Sequence, residues 1–243
     1  MPIKLRVFTK EWIWKSFFDQ KRFLVFGFCK NQRPKTKNQK PNMNDIKFNK
    51  ILISVNAFVP LVILAFDAWS GKIGANPVEF FLRTTGVLTL VFLLITLSVS
   101  PLRKMFGWNN LIKFRRMLGL YAFFYGFLHL ITYSIFDKNL SISAIVTDVW
   151  QRPFIAVGML AFFLLTPLAA TSTNGMIKRL GGKNWAKLHK LTYLIAILGV
   201  IHFWMIVKSD VTYPLLFGLV LSVLLSYRIF ANQKPSVHKA NVI

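Results

Sequence analysis

Three histidines lie within or beside two strongly apolar segments of this 243-residue chain. His129 lies in GLYAFFYGFLHLITYSIF, and His189 and His202 lie thirteen residues apart in KLHKLTYLIAILGVIHFW. An ionisable side chain in hydrocarbon is costly and therefore usually functional, and imidazole is a common protein ligand of haem iron. This pattern predicts a membrane cytochrome. For His129 the alternative is a structural histidine that hydrogen-bonds a neighbouring helix.

The composition indicates a membrane protein independently of the histidines. Apolar residues make up 54% of the chain, and the formal net charge is nevertheless +23. Segments of about 20 apolar residues are long enough to cross the hydrocarbon core. The sequence therefore predicts an all-α membrane protein, a bundle of six transmembrane helices. The predicted spans are 51–69, 86–102, 118–136, 153–171, 187–207 and 211–230.

The basic residues predict the orientation of these spans. Without residues 1–30, which lie too far from a span to count, 19 Lys and Arg residues lie on the side that holds both termini and 5 on the other. The positive-inside rule therefore predicts that both termini are cytoplasmic. The charge is interpreted as an orientation signal and a contact with membrane lipid, and a nucleic-acid partner is not expected.

Three regions follow from these boundaries. Residues 1–50 form a basic N-terminal extension, residues 51–230 the transmembrane haem domain, and residues 231–243 a polar tail in which His238 is expected to be solvated. Within the extension, residues 11–28 fit an interfacial amphipathic helix and residues 30–44 a disordered linker. The alternative is that translation starts at Met43 and that the preceding residues carry no function.

The depths of two histidines suggest that they share one iron. At 1.5 Å per residue, His129 lies roughly 10 Å and His202 roughly 8 Å from the outer ends of their predicted helices. The two imidazoles are therefore predicted to be the axial ligands of one haem. Cys29 is the only cysteine and no CxxCH motif is present, so the haem is expected to be non-covalent, b-type. Thr132, Tyr133 and Thr192 are candidate partners that orient the rings.

The position of His189 leaves two interpretations open. On an ideal helix, a separation of thirteen residues directs His189 and His202 about 140° apart, so a bend would be needed to align them. His189 is either the ligand of a second, inner haem or a histidine that reaches the cytoplasmic interface beside Lys187 and Lys190.

Several absences narrow the function. No span contains a carboxylate near its centre, which disfavours a proton-coupled transporter. No nucleotide-binding motif is present, so electrons are expected from quinol or from a separate flavin reductase. The alternative class is a six-span transporter or scaffold with metal-binding or structural histidines, and a third possibility is a reductase that acts directly on extracellular ferric iron.

Residues 76–210 resemble the MsrQ family, the haem-binding membrane subunits of the bacterial periplasmic methionine-sulfoxide reductase system, which are part of the ferric-reductase-like transmembrane group. The matching stretches are NPVEFFLRTTG, FRRMLGLYAFFYGFLHLITY, RPFIAVGMLAFFLLTPLAATST and GKNWAKLHKLTYLIAILGVIHFWM.

The resemblance implies a function and additional cofactors. It implies an inner-membrane cytochrome with haem b that passes electrons outward to a periplasmic molybdopterin methionine-sulfoxide reductase. This chain would be the electron-transfer subunit and would carry no catalytic residue of its own. The resemblance also implies FMN, and Arg115 and Arg116 are candidates to bind a haem propionate or the flavin phosphate. The related membrane core of NADPH oxidases has two stacked histidine pairs, but here Arg116 occupies the position that would face His189.

Overall fold

The computed structural model describes residues 43–71, 76–207 and 210–233. The predictions for the interfacial segment 11–28, for most of the linker 30–44, for Cys29 and for His238 lie outside these ranges. Contacts divide the chain into two compact units at Phe80, and each unit is described by itself.

The described residues form nine α-helices. Six stretches of helix are long and apolar enough to cross a membrane, which confirms the predicted number of spans. The helices are α1 (Met43–Trp69), α2 (Pro77–Phe106), α3 (Arg115–Thr132), α4 (Ile142–Gln151), α5 (Pro153–Ala170), α6 (Asn174–Leu180), α7 (Gly182–Leu188), α8 (Leu191–Ile206) and α9 (Thr212–Gln233).

The first two helices are longer than the predicted spans. Helix α1 begins at Met43, within the segment assigned to the basic extension, and α2 begins at Pro77, before the predicted start of its span at residue 86. Helix α9 likewise continues to Gln233, inside the predicted polar tail. Hydropathy marks only the part of a helix that lies in hydrocarbon, and backbone hydrogen bonding continues into polar turns beyond it.

The connection between α3 and α5, which lies between the third and fourth predicted spans, contains a helix. A π-helical turn, Tyr133–Asp137, extends α3, and α4 begins after Ser141, whose side chain accepts a hydrogen bond from the backbone N–H of Ala144. This is the usual N-cap arrangement. Helix α4 packs on α5.

The fifth span is not one continuous helix. Helix α7 ends at Leu188, and His189 and Lys190 form a turn before α8 begins at Leu191. The separation between His189 and His202 therefore includes a break, so the angle calculated for an ideal helix does not apply.

The core of the second unit lies between its long helices. Helix α5 packs on α8 and on α3, and α8 also packs on α9. Tyr125 of α3 is fully buried and stacks on Phe92 of α2 with ring centroids 5.5 Å apart. This packing sets the relative positions of α2, α3, α5 and α8, the four helices that form the site described below.

Candidate functional site

His129 of α3 and His202 of α8 meet inside the second unit. Their ring centroids are 6.2 Å apart and the ring planes are perpendicular. Both rings are half-buried by protein. The structure therefore brings together the two histidines that the sequence predicted at similar depth.

The ring of His129 lies against α2. Its Nδ1 is 2.9 Å from the carbonyl oxygen of Leu82. A Cβ added to Gly86 would be 3.2 Å from two atoms of the ring. Because a carbonyl only accepts, this hydrogen bond requires the proton of His129 to be on Nδ1. The other ring nitrogen, Nε2, is then an acceptor.

The ring of His202 lies against α5 in the same manner. Its Nδ1 is 2.6 Å from the carbonyl oxygen of Phe154. A Cβ added to Gly158 would be 2.7 Å from the ring atom Cε1, which is closer than packed atoms approach. In both cases the accepting carbonyl belongs to the residue four positions before the glycine. The two histidines are therefore held by one repeated local arrangement.

This arrangement suits two imidazoles that bind one metal ion. Metal-binding histidines usually donate the second ring N–H to a carbonyl or carboxylate, which fixes the tautomer and the orientation of the ring. A metal–imidazole bond of about 2 Å implies that two rings opposed across one ion have centroids about 6 Å apart. The observed 6.2 Å agrees with that spacing.

The number of side-chain ligands points to a cofactor with ligands of its own. Among the described residues, no group of three or more His, Cys, Asp or Glu side chains could hold a metal ion. A bare zinc ion needs at least three protein ligands, whereas the iron of a haem needs one or two axial ones. The residues present therefore fit a haem held by His129 and His202.

The three residues predicted to orient the rings have other partners. Tyr133 donates to Asp148, Thr132 donates to the carbonyl of Leu128, and Thr192 donates to the backbone carbonyl of His189. Backbone carbonyls hold the two rings instead. The sequence signal that could have located them is Gly86 and Gly158, each within a stretch of the family resemblance.

His189 lies apart from this pair, at the break between α7 and α8. Its ring stacks on Trp185 with centroids 3.9 Å apart, and its Nε2 is 3.3 Å from the hydroxyl of Thr171. The indole N–H of Trp185 donates to the carbonyl of Thr171. These contacts fix the ring at the break between α7 and α8.

Arg115 and Arg116 occupy different surroundings although they are adjacent. Arg115 is half-buried and close enough to His189 and Arg228 to interact with each electrostatically. Arg116 is exposed and donates to the side-chain oxygen of Asn174. The structure therefore does not bring the two guanidinium groups to one anion.

Two polar clusters were not singled out from the sequence. Near the C-terminal end of α9, Arg228 donates to the hydroxyl of Tyr193 and to the carbonyl of Leu97. At the other end of the spans, Tyr133 and Lys138 both bind Asp148 of α4. Arg228 lies within the sixth predicted span, and Asp148 lies between the third and the fourth.

The Asp148 cluster is electrostatically favourable. The ammonium of Lys138 is 2.6 Å from the carboxylate of Asp148, and Arg152 is 3.4 Å from it. The hydrogen bond from Lys138 lowers the pKa of Asp148 below its usual value, and the same bond raises the pKa of Lys138. The hydrogen bond from Tyr133, one turn after His129, ties the end of α3 to α4.

The fold and this site define a class: a multi-pass helical membrane protein with a paired-histidine site in its interior. Residues 83–200 match the family described as "Ferric reductase like transmembrane component". This match includes His129 and His189 and ends two residues before His202.

Curated relatives match 75% to 82% of the chain. The "Protein-methionine-sulfoxide reductase heme-binding subunit MsrQ" of Herminiimonas arsenicoxydans is 47% identical over 203 residues, which are 82% of this chain and 93% of the relative. Its namesakes from Azospira oryzae and Rhodospirillum rubrum are 45% and 44% identical, over 78% and 75% of this chain and 82% and 88% of theirs. The chain belongs to the MsrQ family. No solved structure matches it significantly.

Proposed function

We propose that this chain is a b-type cytochrome subunit that transfers electrons across the membrane, with His129 and His202 as the axial ligands of haem b. The observation that carries the proposal is the matched pair of imidazoles 6.2 Å apart, each with Nδ1 at a backbone carbonyl. The relatives' printed name, heme-binding subunit, supports the same cofactor.

The residues of the chain have limited tasks in this function. The two carbonyls, of Leu82 and Phe154, keep each proton on Nδ1 and leave Nε2 as the ligand atom. Gly86 and Gly158 allow the rings to lie close to the neighbouring helices. A haem held by His129 and His202 would supply reversible one-electron transfer, and the two imidazoles would disfavour direct binding of oxygen. The protein positions the group and excludes water, and no catalytic residue is assigned.

The partners follow from the family and from the location of the site. The acceptor we propose is a periplasmic molybdopterin methionine-sulfoxide reductase, and the donor is the quinone pool or a cytoplasmic flavin reductase. The chain would lie in the bacterial inner membrane with both termini in the cytoplasm.

His189 remains a candidate ligand of a second, inner haem. FMN at Arg115 or Arg116 stays a prediction from resemblance, since neither the geometry nor the relatives' names support it.

The other candidate function, a transporter or scaffold with metal-binding or structural histidines, receives less support. Among the described residues, His129 and His202 have no third side-chain ligand with which to bind a bare ion. Structural histidines would need only the carbonyl hydrogen bonds. They would not require two rings at the spacing of a shared metal.

The test is the haem spectrum of the purified protein. A reduced-minus-oxidised spectrum with a pyridine haemochrome assay is expected to show haem b in the wild type. His129→Ala and His202→Ala should each lose most of it, because each removes an axial ligand. His238→Ala, in the C-terminal tail, is the matched control and should retain the full signal. Full haem content in both span variants would reject the axial assignment.

A further inference from the structure

A cavity of about 200 Å³ lies between the ends of three helices in the second unit. The cavity is lined by residues near the C-terminal ends of α2 and α9 and by a residue near the start of α8. At about 30 Å³ per water in the liquid, the cavity has room for about six waters, and therefore for a phosphate group. Its lining residues are Ser100, Pro101, Lys104, Tyr193, Tyr227, Arg228 and Ala231.

The charge around this cavity is positive. Lys104 and Arg228 line it, and Arg115 is close enough to Arg228 to interact with it electrostatically. Among the described residues, no carboxylate lies within ion-pair distance of Lys104, Arg115 or Arg228. Grouped cations that are partly removed from water are costly unless an anion compensates them.

The contacts of Arg228 fix its guanidinium group and leave one donor without a partner. Its two terminal nitrogens donate to the hydroxyl of Tyr193 and the carbonyl of Leu97, and the group lies over the Tyr193 ring, 4.9 Å from its centroid. Its Nε is buried and has no hydrogen-bond partner among the described residues, which is uncommon and costs free energy. The two groups that accept hydrogen bonds from Arg228, the Tyr193 hydroxyl and the Leu97 carbonyl, are neutral.

We propose that this cavity binds a phosphate group, carried either by an anionic phospholipid or by a soluble phosphate ester. Guanidinium and ammonium groups are the usual protein partners of phosphate, and the hydroxyls of Ser100, Tyr193 and Tyr227 are available as further donors. The cavity lies where the spans end, which is the level of the lipid headgroups, and basic pockets between membrane helices commonly hold such headgroups. The site is separate from the histidine pair and independent of the proposed function.

The experiment measures ligand retention by the purified full-length protein. Native mass spectrometry after reconstitution with phosphatidylglycerol and phosphatidylcholine gives the lipid retained, and thermal stability in detergent with and without inorganic phosphate tests the soluble source. Lys104→Gln removes a cation that lines the cavity. Arg103→Gln is the matched control, because it removes the same charge one residue earlier, outside the lining.

For an anionic lipid, we expect selective retention of phosphatidylglycerol by the wild type, about fivefold weaker in Lys104→Gln and nearly unchanged in Arg103→Gln. Arg228→Lys keeps the charge but loses the fixed fork of donors, so it should weaken retention as well. For a soluble ester, inorganic phosphate should stabilise the wild type and not Lys104→Gln. If both variants at positions 103 and 104 behave as the wild type in both assays, the proposal is wrong. The haem spectrum should be unchanged throughout, so a failure here is distinguishable from a failure of the proposed function.

Discussion

The imidazole of His202 lies so close to the backbone of Gly158 that a Cβ at that position would be 2.7 Å from the ring. The corresponding distance between Gly86 and the ring of His129 is 3.2 Å. The two contacts are built in the same way, but they differ in how well they would tolerate a Cβ. At 2.7 Å the ring or the backbone would have to move, whereas at 3.2 Å a shift of a few tenths of an ångström would be enough.

This difference predicts a ranking of glycine variants. Gly158→Ala should displace the His202 ring and lower haem content strongly, and Gly86→Ala should lower it less. Haem per protein, measured by pyridine haemochrome, gives the ranking. Gly175→Ala is the control, since nothing lies within 4 Å of an added Cβ there. Equal haem content in all three variants would show that ring position at Gly158 does not limit binding.

His189 has a separate prediction. If it binds a second haem, His189→Ala should lower the ratio of haem to protein and leave the signal that depends on His129 and His202. The ratio, determined from haem and protein concentrations on the same sample, decides this. Trp185→Phe preserves a ring beside His189 and should retain the wild-type ratio. An unchanged ratio in His189→Ala would indicate that His189 is a structural residue, held by its contacts to Thr171 and Trp185.

The Asp148 cluster predicts a stability difference between two acidic residues. Asp148→Asn leaves Lys138 without its main partner, and we expect the thermal midpoint to fall by about 5 °C. Asp137→Asn removes a carboxylate that is 46% exposed and 3.4 Å from the same ammonium, so it should change the midpoint little. Thermal unfolding of the detergent-purified variants provides the comparison. A larger effect from Asp137 would contradict the assigned partners.

The same cluster predicts a dependence on pH. The pKa of Asp148 is lowered in the folded protein by the hydrogen bond from Lys138. Its stabilising contribution is therefore complete above the usual carboxyl pKa of 3.8 and is lost as the pH falls through the lower folded value. The difference in midpoint between the wild type and Asp148→Asn should be constant from neutral pH to about pH 4 and shrink below it. A difference that shrinks already between pH 7 and 5 would point to another group.

The orientation of the chain can be tested with reporter fusions. With the positive-inside rule, a fluorescent protein fused to the C-terminus should fluoresce, and alkaline phosphatase fused there should be inactive. Alkaline phosphatase fused after Lys138, in a truncated chain, should be active because that connection is predicted to be periplasmic. The opposite pattern at both sites would invert the proposed direction of electron transfer.

The number of spans and the proximity of His129 and His202 were accessible from the sequence, because length, hydropathy and depth along a helix are local properties. The partners of the rings were not. Helices α5 and α8 are apolar along nearly their whole length, so no polar stripe indicates which face of either helix is buried. The contact of Gly158 with His202 depends on how these helices pack. The turn at His189 and the cavity at Arg228 also depend on tertiary contacts between helices distant in sequence.

The nature of the two hydrogen-bond acceptors limits which mutations can disrupt the positions of the rings. Each acceptor is a main-chain carbonyl, which every amino acid supplies. Substitutions at Leu82 or Phe154 therefore alter packing but cannot delete the acceptor, and a scan of side-chain replacements would overlook both positions. Replacing the peptide bond by an ester, which weakens the carbonyl as an acceptor, is the chemical change that would reveal them. Mutation of Leu82 or Phe154 therefore leaves the hydrogen-bond acceptors of the two rings in place. Substitution of Gly86 or Gly158, in contrast, would displace the rings themselves.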